Sequence, residues 1–552
     1  MSNKTSISVK PQPVPLIKAG IGLPAALGIF GIVFVCFSPS LDNFFAGDDF
    51  SWFFHTLKTI HTPETFLLPV NNFYRQTESL YFLATTLFFG KSPLPFFLIL
   101  VVIHSFNAIL VSSLILRVSD SRLAGVVGGL AWALCYKHAE VVLRPYAVAD
   151  SAALFFGIAS ILLILKRRVF FAVLLLIPAL FSKENAVLFP LLATVLIFYT
   201  DGNEMKTRFS ELTHRWFRAA VLTSPLWLLA CAFALLEILG SRSGTYLSTD
   251  LAFISRFWES WITYLGPDTT WLREVVFGGG PTLVPTWLAF VLFVPFAFLL
   301  WRLPRLVRLG VVWTCITMLP TLAVPFQSSR YHYVPLVGVA LVFGIVWSQI
   351  YARLNRSPKD HRTGLLFLFS ATALSAAFFV WGIQNEEQDT AEIGELHRRA
   401  AASFEAHIVP FLDRETDVMT VFMRTENLAI AHSLFRPRPW FIPETYKWIY
   451  RRPNGILGLA DTYGFVSYCS YDPEQPSIFV ALPRRKFEQR LRSDSFSVVL
   501  HNSSTNVFSI GGRRIHESVR QLAAEQDSYS LLQPGRFDPT FRGIDQLSST
   551  RP

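Results

Sequence analysis

The chain has 552 residues, of which 52% are hydrophobic and only 16% charged, and it carries a net charge of +10. An average soluble domain is about 25% charged, so this composition excludes a string of soluble domains along most of the length. The positive balance follows from where basic loops sit around a membrane and does not point to a nucleic-acid partner.

Residues 1–18 read as a cytoplasmic leader with Lys4, Lys10 and Lys18. No small-x-small cleavage site follows the first apolar run, so that run reads as an anchor rather than a signal peptide. Apolar runs of about 20 residues match a hydrocarbon core of about 30 Å, and lipid offers the backbone no hydrogen bonds, so each must be a helix. Eleven such spans are expected, at 19–38, 93–116, 123–137, 146–165, 169–182, 185–200, 217–239, 283–301, 309–325, 334–351 and 363–383. With a cytoplasmic N-terminus, the inner loops collect Arg117 and Arg122, Lys166–Arg168, Lys206, Arg208, Arg215 and Arg218, Arg302–Arg308, and Arg353–Arg362. Basic residues are retained on the cytoplasmic side, so the charge pattern supports both the count and the orientation. The fold class is therefore an all-α polytopic bundle at 19–384, with a long outer loop at 39–92.

The tail returns to ordinary polarity. Its first part, Glu386 to about Phe411, has helical spacing. Val418–Phe422, Ser477–Ala481, Ser497–Leu500 and Asn506–Ile510 read as strands between Pro- and Gly-containing turns. These predict a small soluble α+β domain over 385–535 on the non-cytoplasmic side, then a disordered end at 536–552. Cys36, Cys135, Cys231 and Cys315 lie in or beside spans and Cys469 stands alone in the tail, so no disulfide framework is expected.

The chemistry-bearing residues gather in the outer loops. The first holds Gly47-Asp48-Asp49-Phe50 and Tyr74-Arg75. The second holds Lys137, His138 and Glu140, then Arg144-Pro145-Tyr146. A tight turn holds Ser182-Lys183-Glu184-Asn185, a loop near 240–282 holds Arg242, Arg256, Glu259 and Asp268, and the last is Ser328-Ser329-Arg330-Tyr331-His332-Tyr333. Ionisable groups beside a bilayer are costly and mark sites. Carboxylates and cations at one membrane surface suit group transfer from a lipid phosphate. Cations hold the phosphate and stabilise the leaving charge, and a carboxylate takes the proton of an incoming hydroxyl. Asp48 or Asp49 is the expected base. Lys183 and Arg330, with Arg75 and Arg144, are the expected phosphate holders. His138 and Glu140 are acceptor contacts, and Glu184, Tyr331, His332, His104 and Asn107 are supporting groups. Hard oxygen ligands suit Mg²⁺ or Mn²⁺; a divalent cation, if used, would take Asp48 and Asp49.

The order of these features resembles the GT-C superfamily of integral membrane glycosyltransferases. It comprises a first span, Asp48-Asp49 in a long outer loop, Tyr74-Arg75, His104 and Asn107 in the second span, Ser182-Lys183-Glu184, and Arg330-Tyr331-His332-Tyr333-Val334-Pro335 before a late span. The likeness, over about residues 20–385, is to the branch of the protein O-mannosyltransferases and their TPR-bearing transmembrane relatives. It implies inverting transfer of a sugar from a polyprenyl-phosphate donor to a protein, lipid or glycan hydroxyl on the non-cytoplasmic face, with Asp48 favoured as base. In a bacterium that membrane is the plasma membrane. The chain departs from the pattern in lacking a TPR period in its tail and in reading Arg75-Gln76 where the family has Arg-Pro. A transporter or flippase, a non-catalytic envelope scaffold and an oligosaccharide ligase are the alternatives. A transporter requires ionisable residues deep in the spans; apart from His104 and Glu237, the last near a span's end, few are found, which counts against it.

Overall fold

The computed structural model describes residues 20–45, 49–70, 73–90, 92–200, 209–240, 252–265, 284, 286–322, 328–356 and 361–407, together with five strands between 421 and 510. The helices are α1 (Leu23–Phe37), α2 (Asp49–His61), α3 (Gln76–Phe89), α4 (Pro93–Ser119), α5 (Arg122–Ala133), α6 (Ala139–Leu143), α7 (Val148–Leu165) and α8 (Val169–Leu180). They continue as α9 (Phe189–Thr200), α10 (Phe209–Gly240), α11 (Ala252–Leu265), α12 (Thr286–Arg302), α13 (Arg305–Leu322), α14 (Leu336–Arg356) and α15 (His361–His407).

Local chemistry sets several of these boundaries. Pro93 opens α4 at a position whose N–H would be unpaired in any case. Asp120, in the left-handed region, closes α4 by donating its N–H to Leu116 O. The Ser121 hydroxyl then caps α5 by accepting from Ala124 N at 3.2 Å.

Among the described residues, seven helices are long and apolar enough to cross a membrane, and an eighth is added if α5 and the segment Tyr136–Leu143 count as one span. Every expected span has a helical counterpart, but not all are full length. The helix of 169–182 is 12 residues, about 18 Å at 1.5 Å per residue. The segments Glu184–Thr200 and Trp287–Arg302 are also short. The span expected at 123–137 bends by 56° after Ala133. This turns Tyr136–Leu143 beneath the Ser329–His332 turn, with which it is in contact. Large apolar side chains such as Leu228, Ile238, Val294 and Leu374 stand exposed along the spans. That much exposed hydrocarbon fits lipid rather than water. The chain is a multi-pass membrane protein built mostly of helices.

α14 is the central strut, packed between α5 and α13. Close approach is possible because glycines meet backbone. A Cβ on Gly338 would lie 2.3 Å from Gly310 O, and one on Gly344 would lie 2.3 Å from Ala124 O. Small residues at helix crossings let membrane helices pack by dispersion contacts, and here they fix α14 directly below the Arg330 turn.

The tail differs from expectation at its start. The span expected at 363–383 and the helix expected from Glu386 form one 47-residue helix, α15, so the 384/385 boundary falls inside it. At about 70 Å if straight, α15 is far longer than the hydrocarbon core requires. The five strands are Val421–Thr425, Phe465–Ser467, Ser477–Ala481, Ser497–Asn502 and Val507–Ile510. Taken as β1 to β5, they form a mixed sheet in the order β2-β3-β1-β4-β5, parallel only between β1 and β4. The Phe465–Ser467 strand was not expected, and Val418–Thr420 of the first expected strand lie outside the described residues. Most other tail residues, including Cys469 and 536–552, lie outside the described residues; the other four cysteines are free.

Candidate active site

The outer-loop residues meet at one end of the bundle. Arg75, just before α3, donates through Nη2 to both carboxylate oxygens of Glu184 at 3.1 Å. It also approaches Glu78 at 3.9 Å. The Tyr74 N–H donates to Glu237 at the end of α10, 2.9 Å away, which fixes the approach of this segment. Lys183 pairs with Asp150 at 3.2 Å, and the two side chains are only 4% and 2% exposed.

Glu140 is the anchor of the Arg330 turn. Its Oε2 accepts from Ser328 Oγ at 2.5 Å, Ser329 Oγ at 2.7 Å and Arg330 N at 3.1 Å, and its Oε1 accepts from Tyr146 Oη at 3.0 Å. Glu140, expected from the sequence as an acceptor contact, thus accepts four hydrogen bonds from within the protein. Arg144 lies within electrostatic reach of the same carboxylate. The Arg330 guanidinium lies over the rings of Tyr146 and Tyr331 at 5.2 and 5.5 Å, a favourable cation–π arrangement. Its Nε is 3.8 Å from Glu140 and forms no hydrogen bond. Lys183 faces the same Tyr331 ring at 5.9 Å.

Asp49, at the start of α2, is 1% exposed and accepts from Tyr146 N at 2.7 Å. It is thereby tied to the residue that carries Arg330 on its ring. Asp48 lies outside the described residues, as do Arg242 and Asp268. Arg256 Nε donates to Leu322 O at 2.7 Å.

The histidines form a second, apolar-lined layer. Ala133 O can only accept, so His104 Nε2 carries the proton it donates there at 2.9 Å. Its Nδ1 must then accept from Tyr333 Oη at 2.8 Å. Asn107 Nδ2 donates to the same Tyr333 oxygen at 3.2 Å and to Ser151 O at 2.9 Å. Trp132 Nε1 adds a bond to Tyr333 O. His104 and Asn107 thus hold α4, α5, α7 and the Arg330 turn together and take no part in the ion-pair cluster. His138 is buried against Trp132 and Tyr333, 4.7 Å from each ring. His332 is buried, with its Nδ1 3.3 Å from Tyr264 Oη.

Two members of the cluster escaped the sequence reading. Asp150 sits in the first turn of α7, where a helix N-terminus favours a carboxylate. It was legible as a lone acid in an apolar span. Glu78 sits in α3, fully buried, with neither carboxyl oxygen hydrogen-bonded. Arg75 Nε, Gln76 Oε1 and Asn185 Oδ1 are likewise buried without hydrogen-bond partners. Among the described residues no group of three or more His, Cys, Asp or Glu is gathered for a metal.

No protein-family profile matches the chain, and no curated protein matches it. Among solved structures it is similar to ArnT from Cupriavidus metallidurans bound to undecaprenyl phosphate, at 14% identity and a TM-score of 0.42. The match covers 83% of this chain and 98% of that one.

Glu78 gives the site a pH dependence. Burial pushes its carboxyl up to about 8, against the pull of Arg75 and Lys183. A folded-state value above the unfolded one means the folded protein holds the proton more tightly. The contribution is favourable below about 4.5 and is lost as pH rises toward 8. The thermal midpoint in detergent is expected to fall across that window. Glu78→Gln, which keeps the neutral shape, should flatten the fall and leave the variant the more stable protein at pH 9. Identical pH profiles for the two proteins would show that Glu78 is ionised throughout.

Proposed function

We propose that this chain is a membrane glycosyltransferase of the GT-C type, moving a sugar from a polyprenyl-phosphate donor to an acceptor hydroxyl. The observation that supports it best is the gathering of Arg75, Lys183 and Arg330 from three distant segments around one end of the bundle. Each is backed by a carboxylate, and Asp49 lies beside them. In this reading the acceptor oxygen attacks the anomeric carbon while the bond to the phosphate oxygen breaks on the opposite face. The departing phosphate takes its electron pair into the field of the cations, and the hydroxyl proton passes to Asp48 or Asp49. Backside attack inverts the anomeric centre.

The same reading puts the site on the non-cytoplasmic face, with 385–535 as a soluble domain there. It keeps the O-mannosyltransferase branch as the nearest likeness. The acceptor is a protein, lipid or glycan hydroxyl, and an oligosaccharide ligase is the rival within the enzymes. One observation favours a transporter: the Asp150–Lys183 pair is an ionic pair buried within the span region.

The test is transfer from a panel of radiolabelled polyprenyl-phosphate sugars by wild type, Asp48→Asn and Asp49→Asn, with and without EDTA. Removing a general base costs roughly 10²–10⁴ in rate. A loss of that size in one variant, with donor binding retained, identifies the base. An EDTA-sensitive wild type would bring a divalent cation to the two aspartates. No transfer by wild type from any donor, with substrate flux in proteoliposomes, would replace this reading with the transporter.

A further inference from the structure

The long helix α15 does not stop at the bundle's end. It runs along two of the outer segments and touches each through a glycine. At Gly382 an added Cβ would lie 2.9 Å from Tyr136 Cβ, at the start of the bent segment that carries His138 and Glu140. Twelve residues further on, at Gly394, it would lie 3.1 Å from both N and O of Phe44. One turn later Arg398 donates to Asp42 O at 2.6 Å and covers the Phe44 ring at 5.6 Å. Its own helix supports it through Glu395, 3.2 Å away.

The stretch so gripped is short and ends four residues before Asp49 in sequence. Phe45, the next residue, is fully buried in an aromatic cluster with Phe53 at 4.6 Å and Phe96 at 5.1 Å. Asp49 opens α2 four residues later. Residues 42–45 are thus held on one side by α15 and on the other by α2 and α4. An isolated loop of this kind would keep its own conformational freedom, at about 1–2 kcal/mol per residue fixed. Here the ordering is supplied by a helix that also leads into the C-terminal region.

We propose that the part of α15 around Gly394 and Arg398 is a brace that fixes residues 42–45 and so positions the start of α2 at Asp49, although neither residue touches the substrate. Gly394 is the positioning residue: a Cβ there would meet Phe44 N and O at 3.1 Å, so Phe44 would have to give by a few tenths of an ångström. Arg398 locks the contact. Movement of the C-terminal region would then be felt at Asp49 through one rigid element. The catalytic part of this inference rests on the glycosyltransferase reading; the mechanical part does not.

The experiment is hydrogen–deuterium exchange on the full-length protein in detergent, comparing wild type with Gly394→Val and Arg398→Ala. Peptides covering 42–53 are expected to exchange at least threefold faster in both variants, while peptides from 336–356 stay unchanged. Donor turnover by the same samples, expressed per folded protein in the monodisperse size-exclusion peak, should fall about tenfold in kcat with the donor KM unchanged; that normalisation divides out a general loss of folded protein. If Gly394→Val does not fold, Arg398→Ala reads the same contact. Unchanged exchange at 42–53 in a folded variant overturns the brace. Faster exchange in the variants, with no transfer by wild type from any donor, upholds the brace and removes the glycosyltransferase reading.

Discussion

Replacing Lys183 with Ala is expected to cost the protein most of its folded yield, and Asp150→Leu should do the same. Each leaves a lone charge 2–4% exposed in a region with little water to solvate it. Breaking a buried pair from one side costs about 3–5 kcal/mol, a large share of the stability of most domains. The double variant Asp150→Leu/Lys183→Met removes both charges at similar volume, and buried pairs so replaced are often neutral or stabilising. Its thermal midpoint should return to within a few degrees of wild type, while transfer stays lost on the proposal that Lys183 holds the donor phosphate. Fluorescence-detected size exclusion on the four proteins, with turnover on the folded ones, separates the two effects. If Lys183→Ala is as stable as wild type, Lys183 is not held by Asp150 and the cluster described above is wrong at its centre.

The helices were legible because their signal is long and cumulative. About twenty apolar residues admit one reading in lipid, and every expected span has a helix at its place. What the sequence did not carry was length in space. Val169–Leu180 and Trp287–Arg302 have the composition of spans without the reach. The break after Ala133 has no Pro or Gly at the bend to announce it, and the segment beyond it packs against the Arg330 turn. The continuity of α15 was hidden by its change of polarity near Trp381, because composition shifts at a membrane surface even when a helix does not end there.

At the site, residue types and the loops that carry them were readable, but partnership was not. Lys183 and Arg330 were picked out as phosphate holders from charge alone. Their carboxylate partners Asp150 and Glu140 lie 33 and 190 residues from them in sequence, beyond any local pattern. Glu140 was expected to face an acceptor, yet its spacing from Ser328 and Ser329 exists only in the fold. Asp150 and Glu78 were passed over because a single acid in a helical stretch looks like a boundary residue until its burial is known. In the proposed reading the logic is electrostatic: an incoming phosphate would meet cations already oriented by carboxylates and would share them rather than recruit flexible side chains from water.

Arg330 is where that sharing is easiest, and its loss should be the most selective lesion in the protein. Its backbone N–H is committed to Glu140, but its Nε has no hydrogen bond and its nearest approach to that carboxylate is 3.8 Å. The guanidinium is held by the faces of Tyr146 and Tyr331, contacts that fix its plane without using its donors. A planar fork so placed can offer two parallel hydrogen bonds to a phosphate. Arg330→Ala should lower kcat/KM for the donor roughly a hundredfold, about 2.7 kcal/mol at 1.36 kcal/mol per tenfold. The thermal midpoint should move by no more than a few degrees, because Glu140 keeps its bonds to Ser328, Ser329 and the backbone. Arg330→Lys keeps the charge but loses the stacking plane and the paired donors, so a loss of roughly tenfold is expected. Tyr331→Leu should resemble Arg330→Lys, since it removes one face of the clamp and leaves the cation. Equal turnover by Arg330→Ala and wild type would mean the phosphate lies elsewhere, and Arg75, with its unpaired Nε, would be the cation to test next.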